Sequence, residues 1–148
     1  MTLEQRKALL LDYKLDKNDF YVVTDEFGDK IILRRTGIDK IQWSIKMKFA
    51  ITSIQTVPYG AKVCVTIVST GRLEDGDYAL TTACANPDNC DFPNYAEVAE
   101  KRCRHRLILQ LARLYEHNIF SEVESQKWVE NRNKYTAAVS EVQKMLQI

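Results

Sequence analysis

The chain has 148 residues, 45% of them hydrophobic and 28% charged, with 21 Lys and Arg against 20 Asp and Glu for a formal net charge of +1. That length suits one domain with a real core, and the even balance excludes a global field able to hold a polyanion, so nucleic-acid binding would need local clustering. No apolar run approaches the roughly 20 residues that cross a bilayer, and the mixed-charge start MTLEQRKALLLDYKLDK reads as neither a signal nor a transit peptide, so the expectation is a cytoplasmic protein.

In chain order, residues 2–13 read as a short helix with Leu3, Leu9, Leu10 and Tyr13 grouped on one side. DFYVVTDEFGDKIILRR reads as a hairpin turning between Glu26 and Asp29, where Gly28 supplies permissive backbone. TGIDKIQWSI follows as a short helix, with Ile38, Ile41 and Ile45 at helical spacing. Three strands are expected over 46–57, 61–70 and 77–84. In the first, Met47, Phe49, Ile51 and Ile54 alternate with a slip that a β-bulge would explain. The second is apolar on both sides, Val63, Val65 and Ile67 against Cys64 and Val68, which suggests cover on both faces. The turns VPYGAK and GRLEDGD are short, so these strands run antiparallel.

The loop ACANPDNCDFPN ends at Asn94, and Glu97 three residues on gives the spacing of a capping box. A helix is therefore expected from Tyr95 to about His117. Ser121 with Glu124 opens a last helix to about Leu146, whose Trp128, Tyr135, Ala138, Val142 and Met145 suit packing against another surface. The expected fold is α+β: an antiparallel sheet made of a hairpin plus a three-stranded meander, a long basic helix on one face, and a C-terminal helix. The whole chain, 1–148, is read as a single domain.

The segment AEKRCRHRLILQLARLYEH concentrates the positive charge. On a helix, Ala96, Ala99, Cys103, Leu107, Leu111 and Leu114 form one apolar stripe. Arg102, Arg106 and Arg113 fall within about 40° of one another on its flank, bordered by Lys101 and Arg104. No acidic residue lies between Lys101 and Arg113. Like charges at Arg102 and Arg106 repel by a few tenths of a kcal/mol, whereas guanidinium forks suit phosphate. A solvated face partly neutralised by Glu97 and Glu100 is the competing account. Arg34 and Arg35 stand where the hairpin meets the short helix, Lys46 and Lys48 share one face at strand spacing, and Tyr59 and Tyr78 near strand ends are candidates to stack on bases.

Enzyme signals are poor: there is no Gly-rich phosphate loop and no nucleophile elbow. Asp75, Asp77, Glu97 and Glu100 match no nuclease spacing. A zinc site would need Cys84, Cys90, Cys103 and His105, but Cys103 and His105 point about 160° apart on a helix, so no metal and no cofactor is expected. The four cysteines read as reduced thiols.

FYVVTDEFGDKIILRRTGIDKI, the meander, and NYAEVAEKRCRHRLILQLARLYE together resemble the single-strand annealing proteins: the Rad-fifty-two-like and DdrA-like proteins and their phage recombinase relatives. The resemblance covers about residues 18–120, the annealing-protein-like core, and leaves 121–148 as a helical extension suited to oligomer packing. Glu97, Ala99, Lys101, Cys103, Arg113 and Tyr115 stand in the family's basic-helix pattern, although Leu109 and Gln110 occupy places where the family often has a Lys-Arg pair. The resemblance implies a non-catalytic protein that binds and anneals single-stranded DNA in recombination or repair, as a homo-oligomeric ring. It places the DNA backbone on Arg113 and on Arg34 or Arg35. A domain of the double-stranded RNA-binding kind is the first alternative. An assembly protein with an acidic partner is the second.

Overall fold

The computed structural model describes residues 1–123, and the final helix expected from Ser121 lies, past Val123, outside the described residues. The fold is α+β: α1 (Leu3–Asp12), β1 (Phe20–Asp25), β2 (Gly28–Leu33), α2 (Arg35–Ile45), β3 (Lys48–Tyr59), β4 (Lys62–Arg72), β5 (Tyr78–Ala85), α3 (Tyr95–Leu111), a 3-10 turn at Tyr115–His117, and β6 (Ile119–Ser121). No helix among the described residues is long and apolar enough to cross a membrane.

The strands form two sheets rather than one. The first has the order β1-β2-β6, and the second is the meander β3-β4-β5. The β1–β2 hairpin turns at Gly28, whose φ of 105° is open to glycine and costly to other residues. β6 is a short strand beyond those expected from spacing; it runs parallel to β2, with Ile31 opposite Ile119 and Leu33 opposite Ser121. The bulge in β3 falls between Ile51 and Ser53, where the alternation slips.

α3 lies between the two sheets. One side packs on β4 and β5, with Ala99 and Cys103 against Val65, Ile67, Ala83 and Ala85. Farther along, Leu107, Ile108 and Leu109 are all buried with Ile31, Leu33, Ile38, Ile41 and Ile119. Three consecutive buried residues cannot share one stripe at 100° per residue. The single apolar stripe expected for this helix is therefore corrected: it is covered on two sides. Gly71 lets the helix approach β4, since a Cβ there would sit 2.8 Å from Met47 Sδ and 3.3 Å from Leu107 Cβ. Gly71→Ala should lower stability by about 1–3 kcal/mol, read as a shift of the urea midpoint.

α3 also stops earlier than expected, at Leu111 rather than His117. Arg113 adopts φ 56°, its amide donates to the Gln110 carbonyl at 3.1 Å, and the Leu114 amide reaches back to Leu109 at 2.9 Å. Those two bonds make a Schellman closure with Arg in the place usually held by Gly. Leu114 is then buried as its apolar anchor.

Candidate nucleic-acid interface

The basic cluster of α3 is largely consumed inside the protein. Arg102 is buried, and its guanidinium donates to the Cys84 carbonyl at 2.7 Å, to Asn89 Oδ1 at 2.9 Å and to the Asn89 carbonyl at 2.5 Å. Arg106 donates to the Thr82 carbonyl at 2.6 Å. Arg104 crosses to α2, donating to Asp39 Oδ1 at 2.9 Å and Gln42 Oε1 at 2.7 Å. Lys101 lies 3.7 Å from Glu97 Oε1 on the same helix. Arg113, exposed, stands past the helix end, so its expected alignment with Arg102 and Arg106 does not hold. The continuous phosphate track expected along Lys101 to Arg113 is corrected accordingly.

The arginines on β5 have a definite structural task. The Val68 carbonyl on β4 accepts from Thr52 Oγ1 and so faces β3. Thr82, directly opposite Val68 on β5, must then turn its own carbonyl outward, as must Cys84 two residues on. Arg106 and Arg102 close those outward carbonyls. An edge strand left open is a template for unwanted pairing, and covering it is one way proteins manage that risk.

The other expected residues are scattered. Arg34, at the start of α2, donates to the Asn18 carbonyl at 3.2 Å and lies 5.2 Å from the Tyr21 ring centroid. Arg35 is exposed, with Nε 3.9 Å from Asp39 Oδ2. Lys46 is not in the strand: it ends α2 in the left-handed conformation, φ 54°, and its Nζ lies 3.8 Å from Glu74 Oε2. The expected Lys46/Lys48 strand face is thus corrected, and Lys48 alone begins β3. Tyr59 ends β3 with its hydroxyl donating to the Asp88 carboxylate. Tyr78 begins β5 with 65% of its surface exposed and the Arg72 guanidinium 5.9 Å from its ring centroid.

Two further residues stand beside these. Trp43 on α2 is 85% exposed, the most exposed large apolar side chain described. It borders a cleft of about 630 Å³ that Gln42, Lys46, Lys48, Asp39 and Glu74 also line. Its signal was present: Trp43 sits about 140° around the helix from Ile38, on the side away from the isoleucine stripe. Arg72 is the second, directly opposite Lys48 across the β3–β4 ladder. The structure therefore brings together Trp43, Lys46, Lys48, Arg72 and the neighbourhood of Tyr78 at one end of the meander.

Among the described residues no group of three or more His, Cys, Asp or Glu side chains is placed to hold a metal ion. Cys103 is buried with its thiol directed at the Ile67 carbonyl. Neither a protein-family model nor a curated protein matches the chain.

Proposed function

We propose that the protein binds single-stranded DNA and brings complementary strands together without bond chemistry, in the cytoplasm and as a homo-oligomer. The observation that carries this reading is the bare Trp43 ring at the lip of a cleft shared with Lys46 and Lys48. A ring open to solvent beside cations is the arrangement that holds unpaired bases by stacking and the backbone by charge. The Lys46–Glu74 contact does not oppose it strongly, because both side chains are about two-thirds exposed and such pairs are worth little in water.

The order α2–β3–β4–β5–α3 also suits a double-stranded RNA binder. Against that, the first turns of α3 carry Glu97 and Glu100, which would repel phosphates at that helix end.

Fluorescence anisotropy with a labelled oligothymidine tests the reading. Affinity should fall with salt by about 0.7 log unit per log unit of salt for each phosphate neutralised. Trp43→Ala should weaken it by about 1–3 kcal/mol, the value of one stacked base. No detectable binding at low salt, or tighter binding of duplex RNA than of the oligothymidine, would overturn it.

A further inference from the structure

We infer that the face of β3-β4-β5 turned away from α3 is a track for single-stranded nucleic acid, entered from the Trp43 cleft; the inference rests on the function proposed above. α3 covers the face that carries Val65, Ile67, Ser69 and Gly71 of β4 and Ala79, Ala83 and Ala85 of β5, all buried. Side chains alternate along each strand, so the intervening residues form the opposite face. The register places Lys48, Arg72 and Tyr78 in one row straight across its end. The next row contains Leu80, which is 58% exposed.

Like charges directly opposite on neighbouring strands destabilise a sheet. Lys48 and Arg72 are such a pair, and among the described residues neither makes a salt bridge. An anion lying across the row would relieve that repulsion. No Asp or Glu occurs anywhere from Lys48 to Arg72 or from Tyr78 to Ala85. The nearby acids, Glu74, Asp75 and Asp77, are confined to the connecting turn, where the Asp75 carboxylate accepts the Asp77 amide at 2.8 Å. Charge on this face therefore selects a polyanion. The exposed Tyr78 ring beside Arg72 selects one with unpaired bases, because a base inside a duplex cannot offer its flat side. From Arg72 to Lys62, the far cation of β4, the strand runs about 33 Å. Lys48 lines the Trp43 cleft as well as the row, so cleft and face are continuous through it.

The test uses the full chain, a labelled oligothymidine, and Arg72→Gln combined with Tyr78→Ala, beside Trp43→Ala. The double variant is expected to bind about tenfold more weakly or worse, with a salt slope shallower by about 0.7 for the lost phosphate contact. Its thermal melt should not fall, because Arg72→Gln relieves the repulsion with Lys48, and Arg72→Lys should keep the wild-type slope. A double variant that binds with wild-type affinity and slope, while Trp43→Ala binds weakly, would overturn the track and leave the cleft as the DNA site. Binding by neither the wild type nor any variant would overturn the proposed function and this inference with it. A duplex of the same length binding as tightly as the single strand would also overturn the track.

Discussion

Arg102→Ala is expected to destabilise the protein by about 2–4 kcal/mol and to leave single-strand affinity unchanged in whatever fraction stays folded. The guanidinium of Arg102 donates to Cys84 and twice to Asn89, from a side chain that is almost wholly buried. Hydrogen bonds to a charged group are each worth more than neutral ones, and truncation also takes that donor from the Cys84 and Asn89 carbonyls, while Asn89 Oδ1 keeps the Asn86 amide at 2.9 Å. Asn89 is held in turn by Asn86, whose Oδ1 accepts the Asn89 amide at 3.1 Å, so the loop after β5 loses its anchor. Urea denaturation measures the loss, and hydrogen exchange should show it concentrated in residues 85–94. The variant should also aggregate more readily, since the outward Cys84 carbonyl is uncovered. Wild-type stability combined with a loss of DNA affinity would instead return Arg102 to the phosphate track that its helical position suggests.

Helical position misleads here for a physical reason. Periodicity places Arg102 and Arg106 on a flank of α3 but carries no information about what another segment brings to that flank. Arg104 meets Asp39, 65 residues earlier in the chain, and Arg102 meets a loop and a strand edge. Local patterns were more legible. The two hairpin systems, the slip in β3, the isoleucine stripe of α2 and the start of α3 at Asn94 can all be read from spacing, because each depends on neighbours in sequence. Asn94 accepts the Glu97 amide at 3.4 Å, as the capping residues suggest.

Helix ends were less legible because this chain closes them without glycine. Lys14 after α1, Lys46 after α2 and Arg113 after α3 all adopt positive φ, at 63°, 54° and 56°. A cation near the last carbonyls offsets part of the strain through the helix dipole, but it reads in sequence as ordinary helix. Ile119 to Ser121 pairs with β2 over only three residues, too few for alternation to mark a strand, and Ser121 reads in sequence as a helix cap. The burial of Leu107, Ile108 and Leu109 with Ile31, Leu33 and Ile119 depends on such distant pairings, which spacing does not carry.

Below pH 6.5 the protein should lose stability steeply, by up to about 1.4 kcal/mol per pH unit, and the loss should trace to His105. The ring is 1% exposed, its Nδ1 lies 2.5 Å from Ser121 Oγ on β6, and its Nε2 has no partner among the described residues. Burial first, then the nearby Arg104 guanidinium, lower its pKa from 6.5 to about 3, with Lys101 and Arg35 adding to the effect and Asp39 opposing it. A base whose folded pKa is depressed is neutral in both states above pH 6.5, where its contribution is fully present. As pH falls from 6.5 toward 3, the unfolded chain takes up a proton that the folded chain refuses, and the accumulated loss is of the order of 4 kcal/mol. Asp19 does not share this window. Burial raises its carboxyl, but hydrogen bonds from Lys40, the Asp16 amide and Thr36 outweigh that and hold it below 3.8, so its contribution is lost only at lower pH. Between pH 6.5 and 4, then, urea midpoints should fall steeply for the wild type and stay nearly flat for His105→Leu. That variant removes the unpaired Nε2 and leaves Ser121 Oγ accepting the Val123 amide at 3.2 Å. It should be close to wild type at pH 7 and the more stable of the two at pH 4.5. Equal slopes for the two proteins across this range would mean that His105 takes up its proton in the folded state, and that the seam between α3 and β6 is open to water.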